Sequence, residues 1–194
     1  MLGFVWSVAS AFQFNLSDRG NIRFNPELEP MGAIGDARWY NMRAAVEYLP
    51  PDVVLDTVSA HLRRDKETGA AISGTGVLDF TDGSTSTWNC GFDSGAVVMD
   101  LRITGTGGVI NIDDFLGQNR DGSADFLYRK GGWGGGVSDD INIASTKPGA
   151  ALMFEDMAAA AADSSLREQW MTGTERTQAL LDAAWVAALQ QERT

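Results

Sequence analysis

Two strand–turn–strand patterns in the middle of the chain constrain its fold most strongly. One turns at Asp82-Gly83, a dipeptide typical of tight β-hairpins, and the other turns at the glycine-rich residues 105–108. Because a hairpin pairs neighbouring strands in opposite directions, these patterns predict a mostly antiparallel sheet. About seven strands are predicted, at 4–14, 53–64, 71–80, 84–92, 96–104, 109–115 and 126–130, and a weaker strand signal lies near Ile141.

Side-chain alternation in the strand 96–104 indicates how this sheet is covered. Positions 97, 99, 101 and 103 are all apolar, whereas Asp100 and Arg102 fall on the opposite face. One face of the sheet is therefore expected to pack against a core, and the other face is mixed and open.

A first helix is predicted directly after a glycine-punctuated loop. Trp39, Val46 and Leu49 recur at three- to four-residue spacing, and Pro50 is the first of two prolines that end the pattern. Asp36 stands before this periodic segment and is predicted to be its N-cap.

Two more helices are predicted near the end of the chain. Residues 151–162 are helix-prone, and Thr172 with Glu175 has the spacing of a capping box that would open the last helix. The apolar stripe of that helix is expected to pack against the sheet. The sequence thus predicts an α+β fold in a single domain, 1–194, with an open, mostly antiparallel sheet and helices packed on one face.

Composition excludes several classes of function. The formal net charge is −11, so a nucleic-acid partner is not expected. Cys90 is the only cysteine, which rules out an internal disulfide, indicates a buried inert thiol and favours a reducing compartment such as the cytoplasm. His61 is the only histidine, which leaves no second histidine for a catalytic triad or a multi-histidine metal site. No apolar run approaches the roughly 18 residues of a membrane span.

The glycine clusters do not have the context of a dinucleotide-binding loop, which needs a preceding strand and a following helix. The turn at 105–108 lies between two predicted strands, and residues 131–136 are followed by no helix signal. The second cluster is expected to be a loose loop, or alternatively a flap that places Trp133 over a binding site.

The best candidate for a functional site is the segment 20–43. This segment contains four polar side chains near the start of the first helix, namely Arg23, Asp36, Tyr40 and Arg43. Asp36, Tyr40 and Arg43 follow one helical face, where a carboxylate, a phenol and a guanidinium could bind a polyol. The alternative is purely structural: Asp36 caps, Tyr40 packs and Arg43 pairs with Glu47. The residues alone leave both interpretations open.

The sequence GNIRFNPELEPMGAIGDARWYNMRAAVEYL, residues 20–49, resembles the start of the C-terminal domain of the Gfo/Idh/MocA oxidoreductases. The likeness continues through the hairpin at Asp82-Gly83, the hairpin at 105–108 and the closing helix. This resemblance implies that Asp36 and Tyr40 lie beside the substrate carbon that exchanges hydride with a nicotinamide. It further implies that Arg23 lies near the mouth of the pocket and that the open sheet face forms a homo-oligomer.

Two departures from that family are visible. Arg38 stands where the family usually has glycine, and the family's N-terminal Rossmann domain, with its cofactor loop and catalytic lysine, has no counterpart in these residues. The chain is therefore expected to bind no cofactor by itself and to be inactive alone, with NAD or NADP bound by the Rossmann partner in the complete enzyme.

Three hypotheses follow from the sequence. The leading one is the substrate-binding half of an NAD(P)-dependent oxidoreductase that acts on a sugar or polyol, with Asp36 and Tyr40 assisting catalysis and Arg23, Arg43 and Trp133 binding substrate. The second is a non-enzymatic sheet module for self-association or sugar binding. A metal-dependent hydrolase is the third and has the least support.

Overall fold

One sheet organises the computed structural model, which describes residues 2–117, 122–133 and 135–193. Within those residues the sheet has eight strands in the order β2-β3-β4-β1-β5-β6-β7-β8. All neighbours pair antiparallel except β1 and β4, which run parallel. The strands are β1 (Val5–Asn15), β2 (Leu55–Arg64), β3 (Ala71–Phe80), β4 (Thr85–Gly91), β5 (Asp93–Gly105), β6 (Gly108–Ile112), β7 (Ser123–Gly132) and β8 (Gly135–Ala144).

The helices lie in two groups along the chain. A short 3-10 turn, Ile22–Phe24, and a one-turn helix precede the first long helix, and two helices follow the sheet. They are α1 (Ala33–Asp36), α2 (Arg38–Tyr48), α3 (Gly149–Ala162) and α4 (Ser164–Gln191). Helix α2 contacts β1, β4 and α4, α4 contacts β2, and α1 contacts β3 and β4, whereas α3 packs on α4.

The predicted α+β class and the mostly antiparallel sheet are confirmed. The count of about seven strands is one too low. The weakest signal, near Ile141, belongs to a full strand, β8, that pairs with β7 from Ser123↔Ala144 to Gly132↔Gly135. Acidic residues and glycines precede Ile141, and they hide the alternation from sequence analysis.

The face of β1, β3 and β4 that meets the helices is buried and largely apolar. Val8, Leu78 and Trp88 are fully or almost fully buried there. Glycine is required next to the large indole, because a Cβ atom at Gly76 would lie 2.6 Å from the Trp88 ring. The small residue lets the sheet accept the indole beneath α2.

The apolar face of β5, predicted to pack against the core, is only partly buried. Leu101 and Ile103 are buried, but Val97 is 64% exposed. Phe4 and Trp6, at the beginning of β1, are also exposed. The helices contact the β1–β4 half of the sheet, so apolar residues beyond their reach remain accessible.

Two predicted helix starts are wrong. Asp36 ends α1 and caps no helix, because its carboxylate bonds to Arg23. Thr172 lies inside α4, which begins eight residues earlier, at Ser164. The N-cap of α4 is Asp163, whose carboxylate accepts the backbone N–H groups of Ser165 and Leu166.

Arg38 is the most unusual residue of the core. Its side chain is fully buried, and its guanidinium carbon lies 4.8 Å from the centre of the Trp88 ring. One nitrogen, Nη2, donates to the carbonyl oxygen of Leu181 at 2.7 Å, while Nε and Nη1 have no partner among the described residues. Burial lowers the pKa of Arg38 to about 10.

Cys90 lies close to this cation and is fully buried. Burial raises the pKa of the thiol to about 12, although the charge of Arg38 acts in the opposite direction. A thiol with that pKa stays protonated at neutral pH, as predicted for an inert core cysteine. No helix among the described residues is long and apolar enough to cross a membrane.

We expect Arg38→Ala to lower the free energy of unfolding by about 3 kcal/mol, because it leaves a cavity and removes the stack on Trp88. Arg38→Met should cost distinctly less, since a flexible apolar side chain fills the space without a buried charge. Urea denaturation measures both. Arg129→Ala, at an exposed arginine, is the control and should stay within about 0.5 kcal/mol of the parent. Equal losses for alanine and methionine would contradict this account.

Candidate functional site

The candidate site forms where the 3-10 turn, α1 and α2 meet above β1. Gly32, the N-cap residue of α1, has φ 49°, and a Cβ atom there would collide with the carbonyl oxygen of Ala71 on β3. Only glycine allows this approach, which seats α1 on the sheet. The sequence pattern of the loop, rich in glycine, thus fixes the position of Asp36 at the end of α1.

An ion pair joins the two ends of the loop. Arg23 Nη2 donates to Asp36 Oδ1 at 2.9 Å, and both side chains remain partly exposed. The hydrogen bond and charge of Asp36 raise the pKa of Arg23, with smaller contributions from Glu29 and Tyr40. The Asn21 side chain accepts the backbone N–H of Arg23 and holds the 3-10 turn in place. Arg23 and Asp36 therefore come together as one unit.

Tyr40 stands on α2 one turn beyond Asp36. Its ring meets Phe12 edge-on at 5.4 Å and Trp39 at 5.8 Å. The side chain is 41% exposed, and its hydroxyl donates to none of the described residues. The phenol is thus held by its ring while its hydroxyl stays available to a ligand.

Arg43 does not join this group. It forms an ion pair with Glu47, one turn further along α2, and its guanidinium lies against Gly173 of α4. The Asp36 carboxylate is therefore paired with Arg23 and not with Arg43, although Arg43 follows Asp36 and Tyr40 along the helix. The purely structural interpretation of Arg43, pairing with Glu47, describes what is seen.

Trp133 is also separate from the cluster. It stands fully exposed at the tip of the β7–β8 hairpin. Helix α1 contacts β3 and β4, and β4 is the nearer of these two strands to β7. Strands β1, β5 and β6 still separate β4 from β7 in the sheet. In this chain Trp133 does not cover Asp36 or Tyr40.

A row of aromatic rings that leads away from Tyr40 was not predicted from the sequence. Phe12 and Phe14 lie 5.5 Å apart, Phe14 and Phe92 5.2 Å, and Phe92 and Phe24 6.2 Å. The sign of this row in the sequence was the two-residue spacing of Phe12 and Phe14, which places both rings on one face of β1. Phe24 and Phe92 come from distant segments, so only the folded chain shows the continuous row.

The described residues do not hold the parts of a metal site or a dinucleotide site. Across residues 2–117, 122–133 and 135–193, no group of three histidine, cysteine, aspartate or glutamate side chains could ligate a metal. The glycines at 105–108 form the turn between β5 and β6, and those of the second cluster that the structure describes belong to the β7–β8 hairpin. Neither precedes a helix, so neither glycine cluster has the context of a Rossmann dinucleotide-binding loop.

No family model matches the chain. One curated relative, dTDP-3,4-didehydro-2,6-dideoxy-alpha-D-glucose 3-reductase of Streptomyces antibioticus, is 30% identical over 112 residues, which are 58% of this chain and 33% of that protein. This chain thus aligns with about a third of that relative.

Solved structures cover nearly the whole chain. KijD10, a 3-ketoreductase from Actinomadura kijaniata seen with NADP and TDP-benzene, superposes with a TM-score of 0.79 and 19% identity over 96% of this chain. UDP-N-acetylglucosamine 3-dehydrogenase GnnA from Acidithiobacillus ferrooxidans gives a TM-score of 0.68 and 16% identity, also over 96%.

The match covers 55% of the KijD10 chain and 54% of the GnnA chain, so this chain spans about half the length of these proteins. The shared fold extends over nearly the whole chain. The predicted resemblance to the C-terminal domain of the Gfo/Idh/MocA oxidoreductases is therefore confirmed at the level of the fold.

Proposed function

We propose that this chain is the substrate-binding half of an NAD(P)-dependent oxidoreductase that acts on a sugar, most specifically a nucleotide-linked sugar. The observation that carries the proposal is the Arg23–Asp36–Tyr40 cluster, at the position that the sequence resemblance assigns to the reacting carbon. The relatives support the substrate class, since their names refer to dTDP- and UDP-linked sugars.

The roles of the residues follow from their chemistry. Asp36 accepts a hydrogen bond from a sugar hydroxyl with the oxygen that Arg23 leaves free, and Arg23 balances the negative charge of the carboxylate. Tyr40 presents an unbonded hydroxyl on the same side and exchanges a proton with the substrate oxygen at the reacting carbon. Arg43 and Trp133 were also expected to bind substrate, but they lie outside the Arg23–Asp36–Tyr40 cluster and are given no role in the proposed site.

The cofactor would come from another polypeptide segment. NAD or NADP supplies the hydride acceptor or donor when it is bound there, as NADP is bound in KijD10. The residues of this chain bind the sugar, orient it and hold a proton at Tyr40. We propose that the chain is inactive without that Rossmann partner, and that it works in the cytoplasm, where the buried thiol of Cys90 would stay reduced.

A non-enzymatic sugar-binding module is the second candidate. It is favoured by the lack of a dinucleotide loop in the described residues. The two functions differ in what Tyr40 does, because only an enzyme needs its proton.

We expect Asp36→Asn to weaken binding of dTDP-glucose about tenfold or more, since a charge-assisted hydrogen bond contributes roughly 1.5–3 kcal/mol. Tyr40→Phe should change the affinity little, but should lower kcat at least about 100-fold once the cofactor-binding partner is present. Calorimetry and steady-state kinetics provide the two readouts. Asp52→Asn, at an exposed aspartate outside the cluster, is the control.

The outcomes separate the candidates. If Asp36→Asn binds dTDP-glucose like the parent, the proposed site is wrong. If Tyr40→Phe retains full activity with the partner, the proton role of Tyr40 is wrong. A chain that binds the sugar nucleotide but supports no turnover with any cofactor-binding partner is a binding module.

We further propose that the open sheet face mediates homo-oligomerisation. This face carries Asp100, Arg102 and Asn111, and a cavity of about 420 Å³ lies between its side chains. Both charge signs occur on it, which allows the surface to complement a second copy.

Light scattering is expected to give at least a dimer, and Arg102→Glu should weaken it by placing like charges together. Arg193→Glu, at the exposed end of the chain, serves as the control. A monomer at all concentrations would count against this surface.

A further inference from the structure

Helix α3 and the first half of α4 are largely exposed, although both are rich in apolar residues. We call these residues, 149–176, the helix pair. Helix α3 packs on α4 and buries only Ala160. The first buried residue of α4 is Thr177, where the helix begins to pack into the core. The helix pair therefore lacks the cover that the second half of α4 has.

An apolar groove of about 520 Å³ lies between the two helices of the pair. Met157 and Ala161 line it from α3, and Trp170 and Met171 line it from α4. Met157 and Met171 are both more than half exposed, and Trp170 is 37% exposed. Large apolar side chains that line an open groove in this way indicate a surface that another chain covers.

The exposed apolar area of the helix pair is large enough to form part of a specific interface. The large side chains that remain open to water are Met153, Phe154, Met157, Trp170 and Met171. Together they expose roughly 500 Å², which is near the upper limit for a patch on a monomer. A stable complex buries about 800 Å² on each partner, and the polar residues around the groove can supply the remainder.

Two opposite charges in the groove indicate what covers it. Arg167 and Glu175 both line the groove, and Met171 lies midway between them, one helical turn from each. Neither charge has an ion-pair partner within the part of the chain that the structure describes. Arg167 donates to the carbonyl oxygens of Ala160 and Ala161 at the end of α3, so its charge faces backbone and no carboxylate.

A second copy of the chain, rotated about a two-fold axis at Met171, pairs both charges. If two α4 helices meet antiparallel around this axis, each residue lies opposite the one that is equally far from Met171 on the other side. Arg167 of one copy then lies opposite Glu175 of the other, and symmetry repeats the same pair. Trp170 and Met171 of each copy contact the groove of the other.

We propose that the helix pair is a self-association surface, in which the groove of one copy receives α4 of a second copy with Met171 on the two-fold axis. The four helices would bury the apolar groove as the helices of a bundle bury theirs. This surface shares no lining residue with the cavity of the open sheet face, and it does not depend on the reaction that the chain supports.

Cysteine substitution tests the position of the axis, because the native thiol of Cys90 is buried. In Met171→Cys, the two introduced thiols face each other and should form a disulfide between copies under mild oxidation. Val186→Cys is the matched control, since Val186 is 51% exposed, Met171 is 55% exposed, and Val186 lies about four turns further along α4. Non-reducing electrophoresis should show cross-linking at least about tenfold faster for Met171→Cys.

Charge reversal tests the register of the two helices. In the Arg102→Glu background, which weakens association through the open sheet face, Glu175→Arg should weaken the remaining dimer at least about tenfold, because it meets Arg167 of the other copy. Adding Arg167→Glu to Glu175→Arg should restore the affinity. Asp52→Arg makes the same change of charge at an exposed residue outside the helix pair and should have no effect. Sedimentation equilibrium measures the affinity, and circular dichroism checks that the helices are retained.

Three outcomes would overturn the proposal. The first is that Met171→Cys cross-links no faster than Val186→Cys. The second is that the double charge reversal associates no better than Glu175→Arg alone. The third is a monomeric Arg102→Glu chain whose introduced thiol in Met171→Cys is protected from alkylation only by a cofactor-binding partner polypeptide, because that partner would then be the occupant of the groove.

Discussion

The stack of Arg38 on Trp88 holds the candidate site to the sheet. Arg38 lies between Asp36 and Tyr40 in the chain, and its side chain enters the core while theirs remain accessible. The desolvated contact with an indole contributes about 2 kcal/mol, and the hydrogen bond to Leu181 ties the same side chain to α4. Helix α2 is thereby anchored to β4 and α4 at its first residue, so that Asp36 and Tyr40 stand at a fixed distance above β1.

Local patterns in the sequence predicted most of the fold. The period-two alternation and the turns at Asp82-Gly83 and 105–108 gave the antiparallel sheet, because these signals act between neighbouring residues. Contacts between distant residues were not predictable in this way. Aspartate is a typical N-cap residue, yet the Asp36 carboxylate pairs with Arg23, which lies 13 residues earlier in the chain. Thr172 and Glu175 have the spacing of a capping box, but the helix already begins at Ser164, with Asp163 as its N-cap.

In the candidate site, too, local patterns were predictable from the sequence and contacts between distant residues were not. Asp36 and Tyr40 were identified from the sequence and stand in the same group, together with Arg23. Arg43 was misjudged because helical spacing fits both Tyr40 and Glu47, and only the position of α4 decides between them. The aromatic row was missed because Phe24, Phe92 and Phe12 come from separate strands and turns. Sequence spacing therefore identified Asp36 and Tyr40 as candidate site residues, whereas their association with Arg23 and the aromatic row needed the folded structure.

The central claim is that the chain binds the sugar substrate and leaves the dinucleotide to another polypeptide segment. Isothermal titration calorimetry of the purified chain with dTDP-glucose and, separately, with NADPH tests it most directly. We expect saturable one-to-one binding of dTDP-glucose and no measurable binding of NADPH. Tight binding of NADPH by this chain, or no binding of any nucleotide-linked sugar, would contradict it.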